Sequence, residues 1–174
     1  MKTDYKWILS VFLLSFFLAM FFTFISETVI SNVSLIIGII ITLVIVFIGI
    51  ICDMVGVAIS TVKVEPFNAM ASKKVREAKT ALMLIKNKDK VSSIFCDVVG
   101  DVCGVITGSA GAAIIASIIV KSNINILLVS MIIMGLLSTL TITGKAIGKN
   151  IAMRNSTTII RTVAKILSIF KVKK

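Results

Sequence analysis

The chain has 174 residues, is 57% hydrophobic and has a mean hydropathy of +1.08, too apolar for a soluble domain of its size to bury, so an integral membrane protein is expected. It holds no histidine, which excludes His-ligated metals and the usual catalytic triads, and its three cysteines fit neither a full disulfide framework nor a zinc spacing. The net charge of +11 comes without a fold or aromatic pattern for reading bases, so no nucleic-acid partner is expected.

In chain order, Lys2 and Lys6 precede a first apolar run, Trp7 to Ile25. The run is long for a signal peptide and has no clear small-x-small cleavage site before Glu27, so it reads as a retained helix. Phe12, Phe16, Phe17, Phe21, Phe22 and Phe24 give it a surface for lipid or a partner subunit. Three further apolar runs cover about 33–61, 91–120 and 124–143. Each reaches the ~20 residues that a helix needs to cross the hydrocarbon. Basic residues fall on alternate connections. Eight lie between the second and third runs (Lys63, Lys73, Lys74, Arg76, Lys79, Lys86, Lys88, Lys90), eight follow the fourth, and Lys121 alone lies on the remaining two connections. The positive-inside rule then puts both termini and the 63–90 loop in the cytoplasm of a multi-pass cell-membrane protein.

That loop reads as a helical hairpin over 65–88. A short helix opens at Pro66, and a longer one runs from about Ser72, as cap, to Lys86. Val75, Ala78, Leu82 and Ile85 recur at helical spacing and predict a buried stripe. After the fourth span, 145–172 reads as an amphipathic juxtamembrane helix. It is apolar at Ile147, Ile151, Ile159, Val163, Ile166, Leu167 and Phe170, basic at Lys149, Arg154, Arg161, Lys165 and Lys171, and without acids. Such a helix suits an anionic inner leaflet, where each charge contributes about 1 kcal/mol.

Three of the eight acids, Asp53, Asp97 and Asp101, lie inside apolar runs, two of them in a repeated phrase, Cys52-Asp53-Met54-Val55-Gly56 and Cys96-Asp97-Val98-Val99-Gly100. An ionisable group at bilayer depth costs at least ~2.5–3.5 kcal/mol and points to a function. Asp53 is ten residues from Lys63 and Asp101 eleven from Lys90, so both sit ~15–16 Å in at helical rise. Asp97 and Asp101 share a helix face and repel unless a proton or cation intervenes. Oxygen ligands without nitrogen or thiolate suit a hard cation, Mg²⁺ first, then Na⁺, Ca²⁺ or Mn²⁺. Ser93 and Ser60 are weaker candidates to support it, with Ser92 and Thr61 nearby. Gly56, Gly100 and Gly104 are expected to loosen both over-long spans beside the acids, as in the broken helices of transporters. Two bland readings stand beside this one. The acids could be neutral interhelical glue, and the glycines, including Gly108 and Gly111, could serve packing; Gly104-x-x-x-Gly108 is also a weak dimerisation signal.

The order of parts resembles the transmembrane domain of the CNNM/CorC family of magnesium transporters from about Val33 to Phe170, with residues 1–26 as an added helix before a 33–172 module. Ala58-Ile59-Ser60-Thr61-Val62 leads into the basic hairpin as the family's Glu-Thr-Ala-Leu-x-Ser does. Asp89-Lys90-Val91 opens the next span as Asp-Arg-Leu does, and Gly144-Lys145-Ala146-Ile147-Gly148-Lys149-Asn150-Ile151-Ala152 resembles Gly-Glu-x-x-Pro-Lys-x-x-Ala. The family's acid is Lys145 here, its proline is Gly148, and its Gly-Asn-Asn falls on Val98-Val99-Gly100. No nucleotide-sensing CBS pair follows Lys174, so the family's cytoplasmic regulation is not expected of this chain.

The sequence therefore predicts an all-α, four-span protein that transports a divalent cation, most simply Mg²⁺, through Asp53, Asp97 and Asp101. It is expected to be a homodimer, as the resemblance implies, and not an enzyme. The competing expectation is a non-transporting subunit that assembles with a partner through its first helix and basic cytoplasmic surface.

Overall fold

A computed structural model of the chain describes residues 5–119 and 125–171. Lys2, Val120, Lys121, Ile124 and residue 172, and the side chains of Phe170 and Lys171, lie outside that description. Every described element is helical: α1 (Tyr5–Ser31), α2 (Leu35–Thr61), α3 (Glu65–Ser72), α4 (Arg76–Lys86), α5 (Lys88–Ser93), a π-helical turn (Ile94–Gly100), α6 (Asp101–Ile119), α7 (Ile126–Arg154) and α8 (Ser156–Lys171). Four helical stretches are long and apolar enough to cross a membrane: α1, α2, the run Lys88–Ile119, and α7. Ile- and Val-rich runs such as α2 would suit strands in water. A helix instead satisfies every backbone group within one segment, as a lipid environment demands. Their hydroxyls are absorbed the same way, as where Thr42 Oγ1, 1% exposed, donates to the Gly38 carbonyl at 2.8 Å.

The chain divides into two compact units, residues 1–50 with 98–144, and 51–97 with 145–174. In the first, α1 packs along α6. Ile30, Ala110 and Ile114 form its buried cluster, flanked by Leu35, Ala113 and Ile118. Gly111 lets α7 approach α6, because a Cβ there would lie 2.8 Å from Leu137 Cδ1 and 3.1 Å from Met134 Sδ. Gly104 and Gly108 meet nothing within 4 Å. Of the glycines read as packing candidates, Gly111 is the one that serves packing within the unit.

The second unit is centred on Ala58, Ile59, Val62, Phe67, Ala81, Ile85, Ala152, Ile160 and Ala164. The stripe expected on α4 is real: Ala78, Ala81 and Ile85 are buried and Leu82 packs against them. Against it lies α8, whose Ile160 and Ala164 are fully buried. That part of α8's apolar face is therefore used up inside the protein. An ion pair between Arg161 Nε and Glu77 Oε1 at 3.7 Å, with the arginine exposed, adds little to the pairing.

Three boundaries differ from expectation. Residues 145–154 do not open the juxtamembrane helix but continue α7, and the break falls at Asn155. Gly144 and Gly148 each cost a helix only about 1 kcal/mol, too little to end a long one. Ser72 does not cap α4; it closes α3, its hydroxyl bonded back to the Ala69 carbonyl at 2.9 Å, and the N-cap is Val75. Pro66 does lie in the first turn of α3. Finally, α2 runs unbroken past Asp53 and Gly56, whereas the third apolar run is interrupted, by the π-helical turn that contains Asp97.

The turn from α3 to α4 places Lys74 at φ 55°, in the left-handed region. Val75 N donates to Met70 O at 3.1 Å and Lys74 N to Ala71 O at 2.9 Å, the paired bonds of a Schellman cap that ordinarily carries glycine. Lys74→Gly is expected to stabilise the hairpin by about 1 kcal/mol, measured by chemical unfolding in detergent.

Candidate functional site

The acids separate by environment. Asp53, on α2, is 4% exposed, and its Oδ2 is buried without a hydrogen-bond donor. Lys149 Nζ on α7 pairs with that Oδ2 at 3.7 Å, and the lysine side chain is 51% exposed. The ammonium is placed to compensate a carboxylate at such burial. Asp97, in the π-helical turn, is exposed. It accepts a 2.7 Å hydrogen bond from Ser93 Oγ, four residues earlier. The Cys96 thiol lies within Coulombic range of both carboxylates and donates to the Asp53 carbonyl at 3.5 Å. Asp101 is the exposed first residue of α6, in the other unit.

What holds the Asp53 region in place is the crossing of α2 with the start of the third run. Ser92 Oγ donates to the Gly56 carbonyl at 2.9 Å, and Ser60 Oγ lies 2.7 Å from Ser92 Oγ. Gly56 is what permits this approach. A Cβ there would overlap Cys96 Sγ and stand 3.1 Å from the Ser92 carbonyl and 3.2 Å from Cys96 N. The glycine expected to loosen α2 is instead a contact point, and Ser60 is engaged with Ser92 and the helix backbone. Gly56→Ala should destabilise the protein by ~1–3 kcal/mol through overpacking. Gly108→Ala, with open space around it, should leave stability unchanged or raise it by ~0.5–1 kcal/mol. Thermal midpoints in one detergent compare the two.

Among the described residues, no group of three or more His, Cys, Asp and Glu side chains is placed to hold a metal ion. The second unit brings Asp53 and Asp97 within Coulombic range of Cys96, and Ser93 onto Asp97. Lys149 is the participant that sequence reasoning missed as a site residue. It stood among the basic residues after the fourth span and read as surface charge. The continuation of α7 through 145–154 makes it a partner of α2. The signal was available in principle, since Lys145 and Lys149 are four apart, on one face of any helix that contains both.

The chain matches no family model, no curated protein and no solved structure.

Proposed function

We propose that this protein is a multi-pass membrane carrier for a hard cation, Mg²⁺ first, with Asp53 as the ion-binding carboxylate. The observation that carries the reading is the buried Asp53 Oδ2 without a hydrogen-bond donor, with the Lys149 ammonium loosely spaced from it at 3.7 Å. A purely structural carboxylate inside an apolar helix would be expected to take all the hydrogen bonds it can. Asp97, near the same Cys96 thiol and steadied by Ser93, offers a second carboxylate. Mg²⁺ is commonly held by one or two carboxylates while it keeps several waters, so two acids suffice where three were anticipated. The charge pattern of the connections supports entry from the cytoplasmic side, with both termini inside. The layout similar to CNNM/CorC transporters supports the same cargo and a homodimer.

A second reading has its own observation. Because Lys149 already neutralises Asp53, the pair is charge-balanced without cargo, as it would be in a non-transporting subunit that assembles with a membrane partner. Mg²⁺ flux into proteoliposomes separates the two, measured on wild type, Asp53→Asn, Asp97→Asn and Asp101→Asn. Equal flux in all four removes the carboxylate site. No flux in any of them favours the subunit.

A further inference from the structure

We infer that Lys149 is a tethered counter-cation that competes with the cargo for Asp53 and so sets how tightly the cargo is held; this rests on the carrier reading. The ion pair is asymmetric. Asp53 has 6% of its side chain exposed and Lys149 has 51%. The carboxylate is fixed on an unbroken α2 beside the Gly56 crossing, where Cys96 and Ser92 press against the backbone. It cannot follow an ion outward. The lysine has four rotatable methylenes and half its surface in the open, and can withdraw its head while its stem stays in place.

The spacing agrees with this division of roles. At 3.7 Å, the ammonium is outside the 2.7–2.9 Å of a direct charge-assisted hydrogen bond. It neutralises Asp53 without locking it. Asp53 and Lys149 together carry no net charge, so a divalent cation approaching the intact pair meets an ammonium beside its ligand. Once the ammonium swings out, the same cation meets an uncompensated carboxylate in a poorly solvated place. Loading is thus an exchange of one cation for another at Asp53, and the returning ammonium drives release. The carboxylate of Asp97 is bonded to Ser93 and exposed at the surface of the chain, so burial does not hold it to a counter-cation as it holds Asp53.

The test uses the full-length protein in nanodiscs, with Mg²⁺ itself as the probe, read as the concentration giving half of the Mg²⁺-dependent rise in thermal midpoint. Lys149→Met should lower that concentration at least about tenfold, since a charge repulsion at this range is lost. Lys149→Arg should raise it severalfold, because a guanidinium pairs with a carboxylate bidentately. If Lys149→Met does not fold, the arginine variant decides alone. Identical half-points for wild type and both variants, with the Mg²⁺-dependent rise lost in Asp53→Asn, overturn the role of Lys149 and leave the carrier intact. No rise and no flux in the wild type overturn both.

Discussion

Asp53→Asn is expected to cut Mg²⁺ flux in proteoliposomes at least about tenfold, while Asp101→Asn changes it less than about twofold and Asp97→Asn falls between. Two unit charges 4 Å apart interact by roughly 4 kcal/mol at an effective dielectric near 20. A tenfold effect needs about 1.4 kcal/mol, so a third of one such interaction is enough. Asparagine keeps the volume of the side chain and removes the charge, which separates attraction for the ion from packing. The ammonium left behind is half-exposed and is not sealed in beside the amide, so the fold should survive. Asp101 is exposed at the start of α6, so burial does not force it to take a counter-ion. Size-exclusion profiles matching wild type establish that a loss of flux is a loss of function. A tenfold loss in Asp101→Asn with normal flux in Asp53→Asn would reverse the assignment.

Phe67→Ala is expected to cost ~3–5 kcal/mol of stability, as full truncation of a buried aromatic does. Phe67 is the largest side chain with no exposure at all. It lies on α3, outside the long apolar helices. Its complete burial makes the cavity left by truncation costly. It belongs to one buried cluster with Ile59 of α2, Ile85 of α4 and Ile160 of α8, so its removal takes volume from a core that four helices share. Urea or thermal unfolding in detergent gives the value. A loss below about 1 kcal/mol would mean that α3 is not docked on this core.

How much of this was legible follows physical lines. Four long helices are dictated by apolar length, which no tertiary contact needs to correct. The stripe of Val75, Ala78, Leu82 and Ile85 was readable because periodicity reports burial directly. Helix ends were less so. Gly144, Gly148 and Ser72 are weak local signals, and packing of Ala152 and the α8 stripe against α2 and α4 outweighs them. The site was half legible. That Asp53 needs compensation follows from its apolar neighbours, but the identity of the compensating group depends on which helix returns beside α2. Lys149 is 96 positions away, and a chain-order reading treats it as one more positive charge. Asp97 lies on the exposed surface of the chain, within a π-helical turn that regular helical spacing does not anticipate.

That turn also says something about the history open to this gene. A π-helical turn carries one residue more than the α-helical turn it replaces, and stretches of this kind recur at functional sites. Within Ile94–Gly100, loss of a single codon can be absorbed by relaxation to regular helix, leaving Asp53, Gly56 and Ser60 on α2 untouched. A single-codon loss within α6 would instead rotate every later side chain of that helix by about 100°. The segment beside the acids is thus where chain length can drift and Asp97 be re-aimed in one step.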